Sequence, residues 1–198
     1  MIIKNIKIKK ILNSLGEYTI ECFMESISGL YSVASVPRGK SAGISEATMH
    51  SADMAIAKFK EIENKLYNTE FNSQKDFDGF LINLDGTPNK KNLGGNLTLV
   101  LSICFLKLLA KELNIPTYKY ISKTFNFTQK IPEFFLLIFE GGKHGSALIT
   151  AQEYMLVVND INEAMSIIKE VKRYLDTNKL FVGYGLEGAF TSNTLTDL

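Results

Sequence analysis

Cysteine is scarce in this chain of 198 residues: only Cys22 and Cys104 occur, far apart and in apolar surroundings, with no C-x-x-C pair. That scarcity excludes a cysteine-type zinc site and a disulfide framework, and both thiols are expected to be buried and reduced, as in a cytoplasmic protein. An excess of charge is missing too. The net charge is +1 with no dense basic stripe, so no nucleic-acid partner is expected. Lys4, Lys7, Lys9 and Lys10 alternate with Ile6 and Ile8, as the solvated face of a strand does. A long hydrophobic run is also absent. The most apolar stretch, residues 97–110, is broken by Thr98, Ser102 and Lys107. It falls short of the roughly 18 residues a membrane span needs, so it reads as a buried helix. Charge lies within the first few residues and no apolar h-region follows, so neither a signal peptide nor a membrane partner is expected.

What is present is ordinary globular material. Apolar residues make up 45% and charged residues 22%, enough to build a sizeable core in one domain, or in one domain and part of another. The first forty residues alternate as strands do. Ile6 and Ile8 form one set, and Tyr18, Ile20, Cys22 and Met24 a second, with a turn at Asn13–Gly16 between them. A further turn at Ser28-Gly29 leads into a strand over 31–36, which gives a three-stranded antiparallel meander. Helices follow. The first is predicted from Ser45 to about Tyr67 and the second over 71–82. The third, long one is capped by Asn92 or Asn96 and ends near Asn114, where Pro116 forbids continuation. Strands followed by helices predict an α+β domain over residues 1–125.

Over 126–198 the pattern changes to β/α. Residues 131–139 and 153–158 read as strands, Asp160 caps a helix bearing Ile161, Ala164, Ile167, Ile168 and Val171 on one face, and 180–182 reads as another strand. Gly183, Gly185 and Gly188 spell a literal G-x-G-x-x-G. Only ten residues follow it, too few for the helix, strand and acidic partner of a dinucleotide fold. His50, in the predicted first helix, has no partner at ligand spacing.

Several segments together resemble the enolase family. Leu81-Ile-Asn-Leu-Asp-Gly-Thr-Pro-Asn-Lys90 and Leu93-Gly-Gly-Asn96, with the long apolar helix after them, are similar to a distinctive stretch of that family's N-terminal domain. Asn114-Ile-Pro-Thr-Tyr-Lys-Tyr120 resembles G-x-P-L-Y-x-Y. Lys10 to Gly16 with Thr19-Ile-Glu21 is similar to the opening strand pair, and Val36-Pro-Arg-Gly-Lys-Ser-Ala-Gly43 resembles the mobile V-P-S-G-A-S-T-G loop. Glu140-Gly-Gly-Lys-His144 resembles N-G-G-x-H. Gln152-Glu153 with Met155 resembles I-Q-E-F-M, and Gly185 to Phe190 with Asn193 resembles G-D-E-G-G-F-A-P-N. The seven matches come in family order.

The resemblance implies dehydration of 2-phosphoglycerate to phosphoenolpyruvate with two magnesium ions, whose charge stabilises a dianionic intermediate. It implies Ser41 as a ligand of the second magnesium, His144 as a substrate contact, and Glu153 and Glu187 around the departing hydroxyl, with Glu187 as the acid. It also implies that three acidic magnesium ligands and two lysines, one of them the base, have no counterpart within these 198 residues. A (β/α)₈ barrel takes about 250 residues, and only 67 follow Ile131. The second segment, 126–198, is therefore expected to be the beginning of a barrel with open strand edges, covered by a partner chain or a second copy unless the segment packs in its own way. Arg38 and Lys40 replace small residues of the family loop, Leu15 an arginine, Glu140 an asparagine and Leu186 an aspartate.

The expectation is an enolase-like chain, non-catalytic alone, needing no cofactor by itself and serving as an interaction or structural module. The alternative is a subunit or fragment of a magnesium-dependent phosphopyruvate hydratase completed by a second chain. A third is binding of a phosphorylated small molecule through Arg38, Lys40 and His144 without turnover. Residue patterning alone leaves Ser41 open as an ordinary loop residue, His144 as a glycine-flanked loop histidine, and Glu153 as an exposed strand position.

Overall fold

The computed structural model describes all residues except 38, 40–42, 68, 143, 146, 147, 149 and 193–198. The chain forms two compact units, Met1–Gln129 and Lys130–Leu198.

The first unit opens with β1 (Ile3–Leu12), β2 (Tyr18–Ser26) and β3 (Tyr31–Ser35), an antiparallel meander in the order β1-β2-β3. Alternation decides its faces: Ile20, Cys22, Met24 and Ser26 point into the core from β2. Ile3 and Ile6 break strict alternation yet are both buried, because a register shift between Ile3 and Asn5 inserts one residue against β2. Lys4 and Lys9 on β1 pair with Glu25 and Glu21 on the neighbouring strand, each at 2.7 Å.

The helices α1 (Ala52–Leu66), α2 (Gln74–Asp85), α3 (Gly95–Glu112) and α4 (Thr117–Phe125) follow. α3 lies against β2 and β3 and buries Leu97, Val100, Leu101, Cys104, Phe105 and Leu108. Phe105 stacks on Phe77 of α2 at 4.1 Å between ring centroids, and Phe71 meets both edge-on. Cys22 of β2 and Cys104 of α3, remote in sequence, come together between the sheet and this helix. Both are free and buried. The hydrogen bond with Cys104, with burial behind it, pushes the Cys22 thiol up, and that same bond holds Cys104 down.

Helix boundaries differ from the sequence expectation at several points, and α2 runs over Gln74–Asp85 rather than 71–82, because Ser73 caps it, its hydroxyl accepting from Asp76 N–H. α1 begins at Ala52 rather than Ser45, because residues 48–50 spend their backbone groups elsewhere. Thr48 N–H donates to Asn89 O, Thr48 O accepts from Gly95 N–H, and His50 exchanges bonds with the Asn96 amide. Ser51 caps the helix instead, its hydroxyl accepting from Met54 N–H at 3.2 Å. Ser51→Ala is expected to cost about 1 kcal/mol, seen as a lower thermal midpoint of the first unit. α3 is capped by neither asparagine but starts at Gly94, whose φ of 91° suits glycine. α4 was not read from the sequence at all. Asn114, at φ 51°, closes α3, with Ile115 N–H donating back to Ala110 O, and Pro116 then stands as the N-cap of α4.

The motif around Asp85 acquires a physical role. Its carboxylate is only 1% exposed. It accepts from the Thr87 hydroxyl and from three backbone N–H groups, Thr87 at 2.9 Å, Asn92 at 3.1 Å and Leu93 at 2.7 Å. Gly86 ends α2 in the left-handed conformation, so the chain turns back around the acid. Burial pushes the Asp85 carboxyl up, but these hydrogen bonds outweigh it and hold the group below the usual carboxylate range.

The second unit holds β4 (Phe134–Glu140), β5 (Glu153–Val158), α5 (Ile161–Thr177), β6 (Gly183–Tyr184) and β7 (Phe190–Thr191). Its sheet order is β5-β4-β7-β6, with β4 antiparallel to β5 and parallel to β7. Asp160 caps α5 as the sequence predicts, accepting from Asn162 and Glu163 N–H. A small core forms around Ile138, Leu175 and Phe190. The strand predicted at 180–182 is absent. Leu180 N–H instead donates to Leu175 O and closes α5, after Lys179 at φ 57°, and the strand begins at Gly183. Phe134, Phe135 and the run Tyr154–Val157 are solvent-exposed in this unit.

Candidate active site

In the second unit the sheet order brings three chain segments to one place. β4 ends at Glu140, the loop after it carries His144, β5 begins at Glu153, and the connection between β6 and β7 carries Glu187. His144, Glu153 and Glu187 each place a donor atom within 4.8 Å of the other two. These are three of the four residues proposed from the sequence. The fourth, Ser41, lies outside the described residues, as do Arg38 and Lys40.

His144 is 7% exposed. Its backbone is pinned on both sides: its N–H donates to Gly141 O at 3.1 Å, and its carbonyl accepts from Leu186 N–H at 3.0 Å. The imidazole faces Glu187, with Nδ1 3.2 Å from Oε1. That is charge-pair distance, yet the pair misses hydrogen-bond alignment and leaves Nδ1 without a hydrogen-bond partner among the described residues. On the other side, Nε2 lies 3.4 Å from the Gln152 amide nitrogen, which also donates to the Glu153 carboxylate at 3.2 Å. A buried imidazole between two partly exposed carboxylates can hold and pass a proton, the elementary requirement of general acid–base chemistry.

The residue that fixes this arrangement is Glu140. Its side chain is 0% exposed, and its carboxylate accepts from Glu187 N–H at 3.0 and 3.1 Å and from Ala189 N–H at 2.7 Å. The loop bearing Glu187 is built around that acid. A Cβ on Gly185 would lie 2.7 Å from Glu140 Cδ and 2.8 Å from His144 O, so only glycine passes there. Sequence reasoning noted Glu140 only as a replacement for asparagine and missed its role. A single acid at a strand end carries no local signal that it will reach a loop 47 residues later. Gln152 likewise carries no local signal of its place between His144 and Glu153. Gly183 lies in β6 and Gly185–Gly188 forms the hairpin turn to β7, which agrees with setting aside the dinucleotide reading.

A meander of three strands with helices, followed by a β/α unit that gathers an imidazole and two acids at its strand ends, defines a two-unit α+β chain with an acid–base cluster in its second unit. Residues 3–121 match the family described as "Enolase, N-terminal domain", more than half of the chain, and the protein belongs to the enolase family. It is similar to enolases of Anaplasma phagocytophilum (33% identical, over 96% of this chain and 48% of that one), Ehrlichia ruminantium (32%, over 96% and 49%) and Elusimicrobium minutum (30%, over 95% and 49%). The chain spans about half the length of the curated relatives it matches. Among the described residues, no helix is long and apolar enough to cross a membrane.

The family resemblance implies magnesium, a hard cation that takes oxygen donors in octahedral geometry at about 2.0–2.1 Å. The described cluster offers an imidazole nitrogen in its buried wall and only two carboxylates. That donor set does not fit magnesium.

Proposed function

We propose that this chain carries the proton-handling part of a phosphopyruvate hydratase site, and that it does not turn over 2-phosphoglycerate by itself. The observation that supports this reading is the convergence of His144, Glu153 and Glu187, held in place by Glu140. Dehydration of 2-phosphoglycerate removes a proton beside a carboxylate and expels a hydroxyl. Glu187, presented on its own loop and 41% exposed at its side chain, protonates that hydroxyl so that it leaves as water. Glu153 stands across the same space, and His144 meets the substrate between them. The base, the acidic magnesium ligands and the second lysine would be supplied by polypeptide outside these 198 residues, whether a continuation of the chain or a partner. Magnesium would enter with them. The working compartment of such a protein is the cytoplasm.

The apolar surface of Phe134, Phe135 and Tyr154–Val157 supports one further reading, an interaction module that receives another polypeptide at β4 and β5. Burying that surface would contribute about 25 cal/mol per Å² removed from water. One experiment serves both readings. The 198-residue chain is assayed with magnesium and 2-phosphoglycerate, alone and co-expressed with the C-terminal half of the Anaplasma phagocytophilum enolase. No turnover alone, with activity in the co-expressed pair that falls about 10²–10⁴-fold in Glu187→Gln, is the expected result. Turnover by the lone chain would sink the proposal. A stable but inactive pair would favour the module.

A further inference from the structure

The geometry around His144 points to a ligand of another kind. We infer that His144, Glu153 and Glu187 bind a borderline divalent cation of the zinc, cobalt or nickel type in preference to magnesium. This goes beyond the hydratase proposal and does not depend on it, because the ion would occupy the same carboxylates and compete with their proton chemistry.

Three observations carry the inference. The first is Nδ1 of His144, a polar atom in a side chain more than nine-tenths buried, facing Glu187 and with no hydrogen-bond partner among the described residues. A buried nitrogen left so is costly unless something occupies it. The second is the separation of 3.2 Å between that nitrogen and Glu187 Oε1, out of line for a hydrogen bond. Two donors each about 2.0–2.2 Å from one tetrahedral zinc-like ion stand about 3.3–3.6 Å apart, so the observed pair is within about 0.1 Å of the bite of a metal chelate. The third is the donor set. Glu153 keeps a carboxylate oxygen within 4.8 Å of the other donors, and a half-exposed glutamate closes such a gap by rotating its side chain. One imidazole with two carboxylates suits zinc and its neighbours, whereas all-oxygen cages suit magnesium. Three protein donors leave one tetrahedral position for water.

The surroundings match as well. Glu140 holds the Glu187 loop from behind, through part-buried hydrogen bonds to Glu187 N–H and a buried one to Ala189 N–H. Metal at Nδ1 would leave the ring proton on Nε2, where the Gln152 amide sits at 3.4 Å. That amide would turn its oxygen to the ring and accept the proton, as outer partners of metal-bound histidines do.

The chain has two histidines, so the test is clean. Untagged full-length chain is titrated with Zn²⁺ by calorimetry and with Co²⁺ by visible absorption, with Mg²⁺ in large excess and no phosphoglycerate present. One equivalent should bind at micromolar zinc. His144→Ala and Glu187→Gln should each weaken binding at least tenfold, and His50→Ala should leave it unchanged. Amide NMR spectra check that each variant folds, and Glu187→Gln decides if His144→Ala does not. No binding by the parent chain in magnesium would overturn the inference. So would binding indifferent to Glu187→Gln, binding lost in a folded His50→Ala, or a thiolate–cobalt charge-transfer band placing the ion on Cys22 and Cys104. Because substrate is absent, none of these outcomes depends on whether the hydratase proposal holds.

Discussion

Replacing Asp85 with alanine is expected to destabilise the first unit by about 3–5 kcal/mol, the cost of breaking a buried charged network by removing its centre. The carboxylate receives three backbone N–H groups and a hydroxyl from the loop that joins α2 to α3. Alanine would strand all of them away from water. Asp85→Asn keeps one carbonyl acceptor but turns a donor toward donors, and should recover less than half of the loss. Denaturant unfolding followed by far-UV circular dichroism measures both. A loss below about 1 kcal/mol for the alanine variant would mean that the loop is held elsewhere.

The same acid sets a pH dependence whose sign follows from its lowered pKa. In the unfolded chain the carboxyl titrates near about 3.9, and in the folded unit below that. Between the two values the unfolded state binds more protons, so stability rises with pH there. The contribution is complete above the unfolded value and is lost as pH falls through the folded one. Acid titration of the parent chain should therefore show a decline below about pH 4 that Asp85→Asn flattens.

Glu140→Ala should have the second largest effect, confined to the second unit. It leaves the buried N–H of Ala189 without an acceptor, at about 1–3 kcal/mol, and frees the part-buried N–H of Glu187 at a smaller cost. Amide hydrogen exchange should quicken at Glu187 and Ala189 while the first unit is unaffected. Glu140→Gln retains an acceptor of the same reach and should restore most of the protection. Glu140→Asn, the family's residue, is one methylene shorter and should restore less. Equal exchange in all four proteins would deny Glu140 its anchoring role.

These two acids also show where sequence reasoning reached and where it stopped. Elements whose signal is local were legible. The alternation of β2, the Asp160 cap and the limits of β5 all follow from neighbouring residues. Boundaries set by distant partners were not. The start of α1 depends on Asn89, Gly95 and Asn96, and no property of Ser45 or Glu46 reveals them. The site divides in the same manner. His144, Glu153 and Glu187 were readable through motif resemblance, and the sheet order brings them together. Glu140 and Gln152 act by reaching across the fold, a relation that motif spacing does not encode. Asp85 stood inside the clearest motif of all, but its work became visible only as a set of hydrogen bonds.

The pairing of Cys22 with Cys104 has a practical consequence. Every thiol in the chain lies in the first unit, Cys22 on β2 and Cys104 on the face of α3 turned to the sheet, and both are buried. A thiol-modifying reagent can reach them only when that helix lifts from the sheet, so the labelling rate clocks the opening of this unit while the second stays silent. Two bodies in one polypeptide can thereby be weighed separately. Lifting of α3 is read from sulfur chemistry, and loosening of the loop around Glu140 from amide exchange.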